Sequence, residues 1–159
     1  MAKVSPIPTG YHTVTPYITV TNSAEAIDFY KKAFGAEEHF RMTGPDGKIM
    51  HAEIKIGDSV IMLSDEWPNM GVKAPVTAGC VTASLMIYVP DVDASYERAI
   101  NAGAKAGTPV QNMFWGDRYG QVHDPYGHRW SIATHVEDVA PAEMEKRQQE
   151  WIAQMKAAS

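Results

Sequence analysis

At 159 residues, with 45% apolar and 21% charged residues, the chain has the size and composition of one folded domain and is short for two. A net charge of −5 argues against a nucleic-acid surface, which needs clustered Lys and Arg, and the single cysteine, Cys80, excludes an intramolecular disulfide and a Cys-built zinc site. No stretch approaches the roughly 20 apolar residues of a membrane span, and Met1–Pro6 lacks the apolar core of a signal peptide, so the expectation is a cytoplasmic protein with no membrane partner.

Taken in order, His12 to Thr21 reads as a first strand, with Pro16 marking an edge position or a bulge. Asn22 followed by Glu25 is a capping-box-like helix start, Ile27, Tyr30 and Phe34 recur at helical spacing, and Gly35 supplies the stop. Glu38 to Met42, the turn Gly44-Pro45-Asp46-Gly47 and Ile49 to Ile56 form a hairpin, and Val60 to Ser64 continues the sheet. From Asp65 to Val81 the chain is rich in Pro, Gly, Ala and Thr and reads as a connector. A second unit follows: strand Ala83 to Val89, a helix from about Val92 to Ala102 ending at Gly103, a strand near Val110, then Tyr119 to His123, a turn at Asp124-Pro125-Tyr126-Gly127, and His128 to Thr134. A last helix opens at Pro141, with Met144, Gln148, Trp151, Ile152 and Met155 as a mostly apolar stripe that covers the domain body or a second subunit.

The passages Tyr17–Ala36 and Met86–Ala104 say nearly the same thing: a short strand, a polar helix start, a helix, and Phe-Gly-Ala or Ala-Gly-Ala at its close. A repeat of this length is a duplicated β-α-β-β-β unit. The expected fold class is α+β, with two paired βαβββ modules forming a curved, cup-shaped mixed sheet and helices on its convex face. The chain reads as one domain over 1–159: module one at about 11–65, a connector at about 66–82, module two at about 83–135 and a C-terminal helix at about 140–157.

Strand side chains alternate between faces, so the apolar set of each strand exposes its complement. With Ile18, Val20, Ala52, Ile54, Ile56, Leu85, Ile87, Val122, Trp130 and Ile132 toward the helices, the opposite face carries Tyr17, His51, Glu53, Met86, Tyr88, Gln121, His123 and Arg129. Plain solvent does not account for Tyr17, Met86 and Tyr88 there; a half-polar pocket does. Trp115 and Arg118, from the loop entering the Tyr119 strand, complete the expected ligand-contact set.

The paired modules, the Phe34-Gly-Ala-Glu37 helix end, the strand Val60-Ile-Met-Leu-Ser-Asp65 and Phe114-Trp-Gly-Asp-Arg-Tyr-Gly120 followed by Asp124-Pro-Tyr-Gly-His-Arg-Trp130 resemble the vicinal oxygen chelate superfamily. This group takes in glyoxalase I, extradiol dioxygenases and bleomycin resistance proteins, and the likeness, over about residues 11 to 140, is greatest to its PhnB-like branch. The resemblance implies a homodimer around an unidentified small molecule. In metal-dependent members an ion is held from the first and last strands of each module. The matching positions are Thr15, Met62, Ser84 and Ser131, none of them a good ligand for a divalent metal, so no metal cofactor is expected.

His51, Glu53 and His123 are the acid/base or metal candidates, against the simpler readings of a polar pocket wall or a solvated strand. Arg118 and Arg129 suit a ligand carboxylate or phosphate unless they pair with Asp117, Asp124 or Glu53. Trp115 and Tyr119 suit stacking on a flat ligand. Three functions stay open: a metal-independent small-molecule-binding protein, a lyase or isomerase using His51, Glu53 and His123 with or without a divalent metal, and a structural or regulatory dimer with a vestigial cup.

Overall fold

The computed structural model describes residues 4–157. In module one, α1 (Ser23–Phe34) starts where the Asn22 side chain accepts the Glu25 N–H at 3.3 Å and ends at Gly35, whose positive φ of 68° turns its own N–H back to the Lys31 carbonyl. Its apolar face buries Ala26, Ile27, Tyr30 and Ala33 against the sheet formed by β1 (Tyr17–Val20), β2 (Glu37–Thr43), β3 (Ile49–Ile56) and β4 (Ser59–Asp65). The strand order is β1-β4-β3-β2, with β1 parallel to β4 and the other pairs antiparallel.

A 3-10 turn at Pro68–Met70 and the short α2 (Pro75–Ala78) carry the chain to module two. This module holds β5 (Ser84–Tyr88), α3 (Val92–Asn101), β6 (Lys105–Ala106), β7 (Gln111–Asn112), β8 (Asp117–His123) and β9 (Arg129–His135), in the order β5-β9-β8-β6 with β7 also on β8. Asp91 caps α3 by accepting the Ala94 N–H at 3.0 Å. The parallel first-to-last pairing of module one recurs here, with Met86 opposite Ser131 as Tyr17 is opposite Met62. The duplication in sequence is thus a duplication in topology, although the sheet is divided into a four-stranded and a five-stranded half.

The halves meet through their helices and one core. Trp130 of β9 lies 4.6 Å from the Phe34 ring and 5.3 Å from Tyr30, the Arg98 Nε donates to the Ala33 carbonyl at 2.9 Å, and the His128 Nε2–H donates to the Thr19 carbonyl at 2.8 Å. Asp124 is the knot of this junction. One oxygen accepts the backbone N–H groups of Tyr126 and His128, and the other accepts the Tyr30 hydroxyl at 2.7 Å and the Trp130 indole at 2.9 Å.

Two expectations change, and a third is left with its second alternative. The first strand is shorter than His12–Thr21, because Thr15 turns back to hydrogen-bond the His12 carbonyl and Pro16 has no N–H to donate. The strand near Val110 is two short pieces, β6 and β7, that flank Val110 without including it. The last helix, α4 (Pro141–Ala157), buries none of its described residues: Trp151 rests on Phe114 at 5.6 Å, while Trp151, Ile152 and Met155 stay 39–55% exposed.

Candidate functional site on the open sheet faces

The register sorts the side chains cleanly. Ala52, Ile54, Val122, Trp130 and Ile132 are fully buried toward the helices, whereas Leu85 and Ile87 of edge strand β5 are only half-buried beside a hollow of about 920 Å3. The opposite faces carry the polar and aromatic residues.

On module one, Tyr17, His51 and Glu53 form a hydrogen-bonded chain. The Tyr17 hydroxyl is 3.2 Å from His51 Nδ1, and His51 Nε2 is 3.2 Å from Glu53 Oε1. The second Glu53 oxygen accepts the Tyr11 hydroxyl. That bond is the main force holding the Glu53 carboxyl below the usual carboxylate range, against the opposing effect of burial, with His51 adding to it; the same contact raises the Tyr11 phenol. The Phe40 ring lies 6.1 Å from His51, Met42 is the cross-strand partner of His51, and both are about half exposed.

On module two, Asp117 is a buried carboxylate with three side-chain donors: the Tyr88 hydroxyl at 3.1 Å, the Trp115 indole at 3.0 Å and His135 Nδ1 at 2.8 Å. The Tyr88 phenol is raised, chiefly by this bond. Tyr119 and Ser131 join hydroxyls at 2.9 Å, and the Gln121 amide reaches both. His123 is the cross-strand partner of Arg129, whose guanidinium donates to the Val81 carbonyl at 3.4 Å and whose buried Nε has no hydrogen-bond partner among the described residues. Between the two modules a second hollow, of about 440 Å3, is lined by Tyr17, Thr19, Ser84 and His128.

The sequence profile of the Glyoxalase/Bleomycin resistance protein/Dioxygenase superfamily matches residues 11–132. The chain belongs to this superfamily. A Mycobacterium bovis protein, Mb0911c, is 45% identical over 129 residues, covering 79% of this chain and 85% of its own length. Among solved structures, TioX from Micromonospora sp. ML1 superposes with a TM-score of 0.61 at 26% identity, over 79% of this chain and 99% of TioX. The PhnB protein from Bacillus cereus superposes at 0.60 and 18% identity, over 77% of this chain and 99% of its own, a likeness of fold alone.

At the positions that the resemblance sets against metal ligands stand Thr15, Met62, Ser84 and Ser131, none of them an imidazole or a carboxylate. Met62 brings a thioether, the Ser131 hydroxyl is engaged by Tyr119, and the Thr15 hydroxyl is turned to the His12 carbonyl. Among the described residues no three His, Cys, Asp or Glu side chains come together as a metal-holding set. His51 and Glu53 share β3 and lie 3.2 Å apart through His51 Nε2 and Glu53 Oε1, while His123 stands on β8 of the other sheet.

Arg118 is a correction. Its neighbours Asp117 and Tyr119 take the open face, so alternation turns Arg118 to the helix side, where Nε and Nη2 each bond Asp93 of α3 at 2.6 Å and Nη1 bonds Asn112 at 3.1 Å. It is a strap between β8 and α3, not a ligand contact. The residues missed are Tyr11, Phe40, Met42 and Asp117. Strand parity carried a signal for Phe40 and Met42, blurred by the register shift between Glu38 and Phe40. Tyr11 precedes the strand and carried none.

Proposed function

We propose that this member of the glyoxalase/bleomycin-resistance superfamily is a small-molecule-binding protein of the PhnB-like type, acting as a cytoplasmic homodimer and independent of a divalent metal. The observation that carries the reading is the exposure, on the open faces, of large apolar groups around an organised polar centre. Tyr17, Met86 and Tyr88 are 52%, 42% and 63% exposed, yet Tyr17 and Tyr88 are fixed by hydrogen bonds to His51 and Asp117. Held aromatic surface beside satisfied polar groups is how ligand pockets combine affinity with orientation. Dimerisation is supported by the exposed apolar residues of α4 and by the position of β1 and β5 at the edges of their sheets.

The test is to incubate the protein with the low-molecular-weight fraction of a bacterial lysate, recover it by gel filtration and identify the released compounds by mass spectrometry. A compound retained by the wild type and lost from Tyr17→Ser or Tyr88→Ser is expected. Equal retention by both variants places binding elsewhere and overturns the assignment.

A further inference from the structure

We propose that the hollow of about 440 Å3 between the modules is the seat of an organic carboxylate, with the Arg129 guanidinium and the Lys73 ammonium holding the anion and an apolar wall holding the rest of the molecule. The proposal rests on the reading of the protein as a small-molecule binder and adds the charge of the ligand and its place. The hollow falls within the roughly 300–1,000 Å3 range of ligand pockets. Its walls are built by the protein's own contacts. On one side the His128 Nε2–H donates to the Thr19 carbonyl at 2.8 Å, which ties the turn before β9 to β1. On the other the connector helix α2 is pinned twice. Glu66 accepts the Ala74 N–H at 3.0 Å and the Thr77 hydroxyl at 2.9 Å, and Pro75 and Val76 pack so closely on Gly127 that a Cβ there would stand 3.0 Å from the first and 3.1 Å from the second.

The charge at this hollow runs against that of the chain. The chain carries a net −5, yet Lys73 lines the hollow and none of the described lining side chains is an Asp or Glu. Arg129 adjoins it: β9 sets Arg129 opposite Ser84, and its Nη2 donates to the Val81 carbonyl, both of them lining residues. At 3.4 Å that bond is longer than the usual range of about 2.7–3.2 Å, so it is easily exchanged for a better acceptor. A guanidinium is always charged and carries five N–H donors, and Arg118 and Arg147 each spend theirs on a carboxylate gripped through both oxygens. Half-buried Arg129 has no such partner among the described residues, because Glu53 is taken by Tyr11 and His51, and Asp124 by Tyr30 and Trp130. With its Nε buried, the fork it presents is the Nη1–Nη2 edge, whose planar pair of donors matches the two oxygens of a carboxylate. Val14, Pro16, Ile18 and Leu85, around the seam between β1 and β5, supply apolar surface for the body of such a molecule. Cys80, exposed on the same hollow and the only thiol in the chain, reports on what occupies it.

The experiment uses the full chain with benzoate as the probe and benzamide, its uncharged counterpart of the same size, as the control. Binding is read by saturation transfer to the ring protons, and its place by the rate at which the neutral reagent N-ethylmaleimide alkylates Cys80. Benzoate should bind about tenfold or more tighter than benzamide, the scale of a charge-assisted pair, and should slow alkylation in proportion to its occupancy. Arg129→Gln should remove most of that preference and keep benzamide binding, whereas Arg129→Lys should restore part of it, having the charge without the fork. Lys73→Gln should cost only about two- to threefold, since solvent screens an exposed ammonium. Equal affinity of the wild type for the two probes, or a preference that survives Arg129→Gln in a protein with unchanged circular dichroism, overturns the carboxylate assignment while the small-molecule reading stands. Benzoate binding that leaves Cys80 alkylation unchanged overturns the hollow as the seat. Absence of transfer to both probes at millimolar concentration overturns the proposal outright, and the lysate experiment, which presumes no ligand class, decides the small-molecule reading separately.

Discussion

Replacing Asp124 by Ala removes the acceptor at which α1, β9 and the turn between β8 and β9 are joined. Tyr30 and Trp130 are fully buried and both donate to one Asp124 oxygen, so the variant leaves a phenol and an indole N–H without a partner in the core. Each orphaned buried donor costs about 1–3 kcal/mol, which puts the loss at about 2–6 kcal/mol for the pair, a large share of the stability of a domain this size. The Tyr126 and His128 N–H groups lose an acceptor as well. Tyr30→Phe, which removes one donor and leaves Asp124 three others, should cost only about 1 kcal/mol. Urea unfolding followed by tryptophan fluorescence and far-ultraviolet circular dichroism measures both, and the double variant should show coupling of about 0.5–3 kcal/mol. An Asp124→Ala protein within 1 kcal/mol of wild type, at unchanged m-value, would refute the claim that this carboxylate ties the modules together.

Further outcomes follow from burial, backbone geometry and charge. Ile54→Ala, at a fully buried site, should lose about 2–5 kcal/mol in the same unfolding assay, and Leu85→Ala, half-buried on an edge strand, distinctly less. Gly116 has φ +98°, and a Cβ there would stand 2.1 Å from the Glu137 carbonyl oxygen, so Gly116→Ala should cost more than about 1 kcal/mol and loosen the segment leading to α4. The His135 imidazole is raised above its ordinary value near 6.5, first by Asp138 and then by Asp117. Its contribution to stability is therefore full below pH 6.5 and is lost as pH rises through the higher folded-state value, so His135→Gln should flatten the melting-temperature profile across that interval.

Much of this architecture was legible in the sequence because duplication, caps and alternation are local signals. Asn22, Gly35 and Asp91 mark helix ends through the backbone geometry they favour, and Ile54 and Val122 fix which face of each sheet is buried. The open-face positions of Tyr17, His51, Glu53, Met86, Tyr88, Gln121, His123 and Arg129 follow from that same alternation. What was illegible depends on contacts across the chain. Arg118 was assigned by its loop and not by its parity, and its partner Asp93 lies on a helix 25 residues away. Tyr11 reaches Glu53 over 42 residues from a segment with no periodicity, and Asp117 acquires its donors from three separate elements. The length of β1 was set by the Thr15 turn, which competes with extension of the strand.

On the proposed reading, the open faces take a small organic molecule without help from a divalent ion. A native mass spectrum of freshly purified protein, recorded before and after dialysis against a chelator and paired with elemental analysis, tests it most directly. The expected result is a species of twice the chain mass carrying an organic adduct, unchanged by the chelator and with metal far below one ion per chain. A tightly held divalent ion close to one per chain, released by His51→Ala or Glu53→Ala, would contradict it.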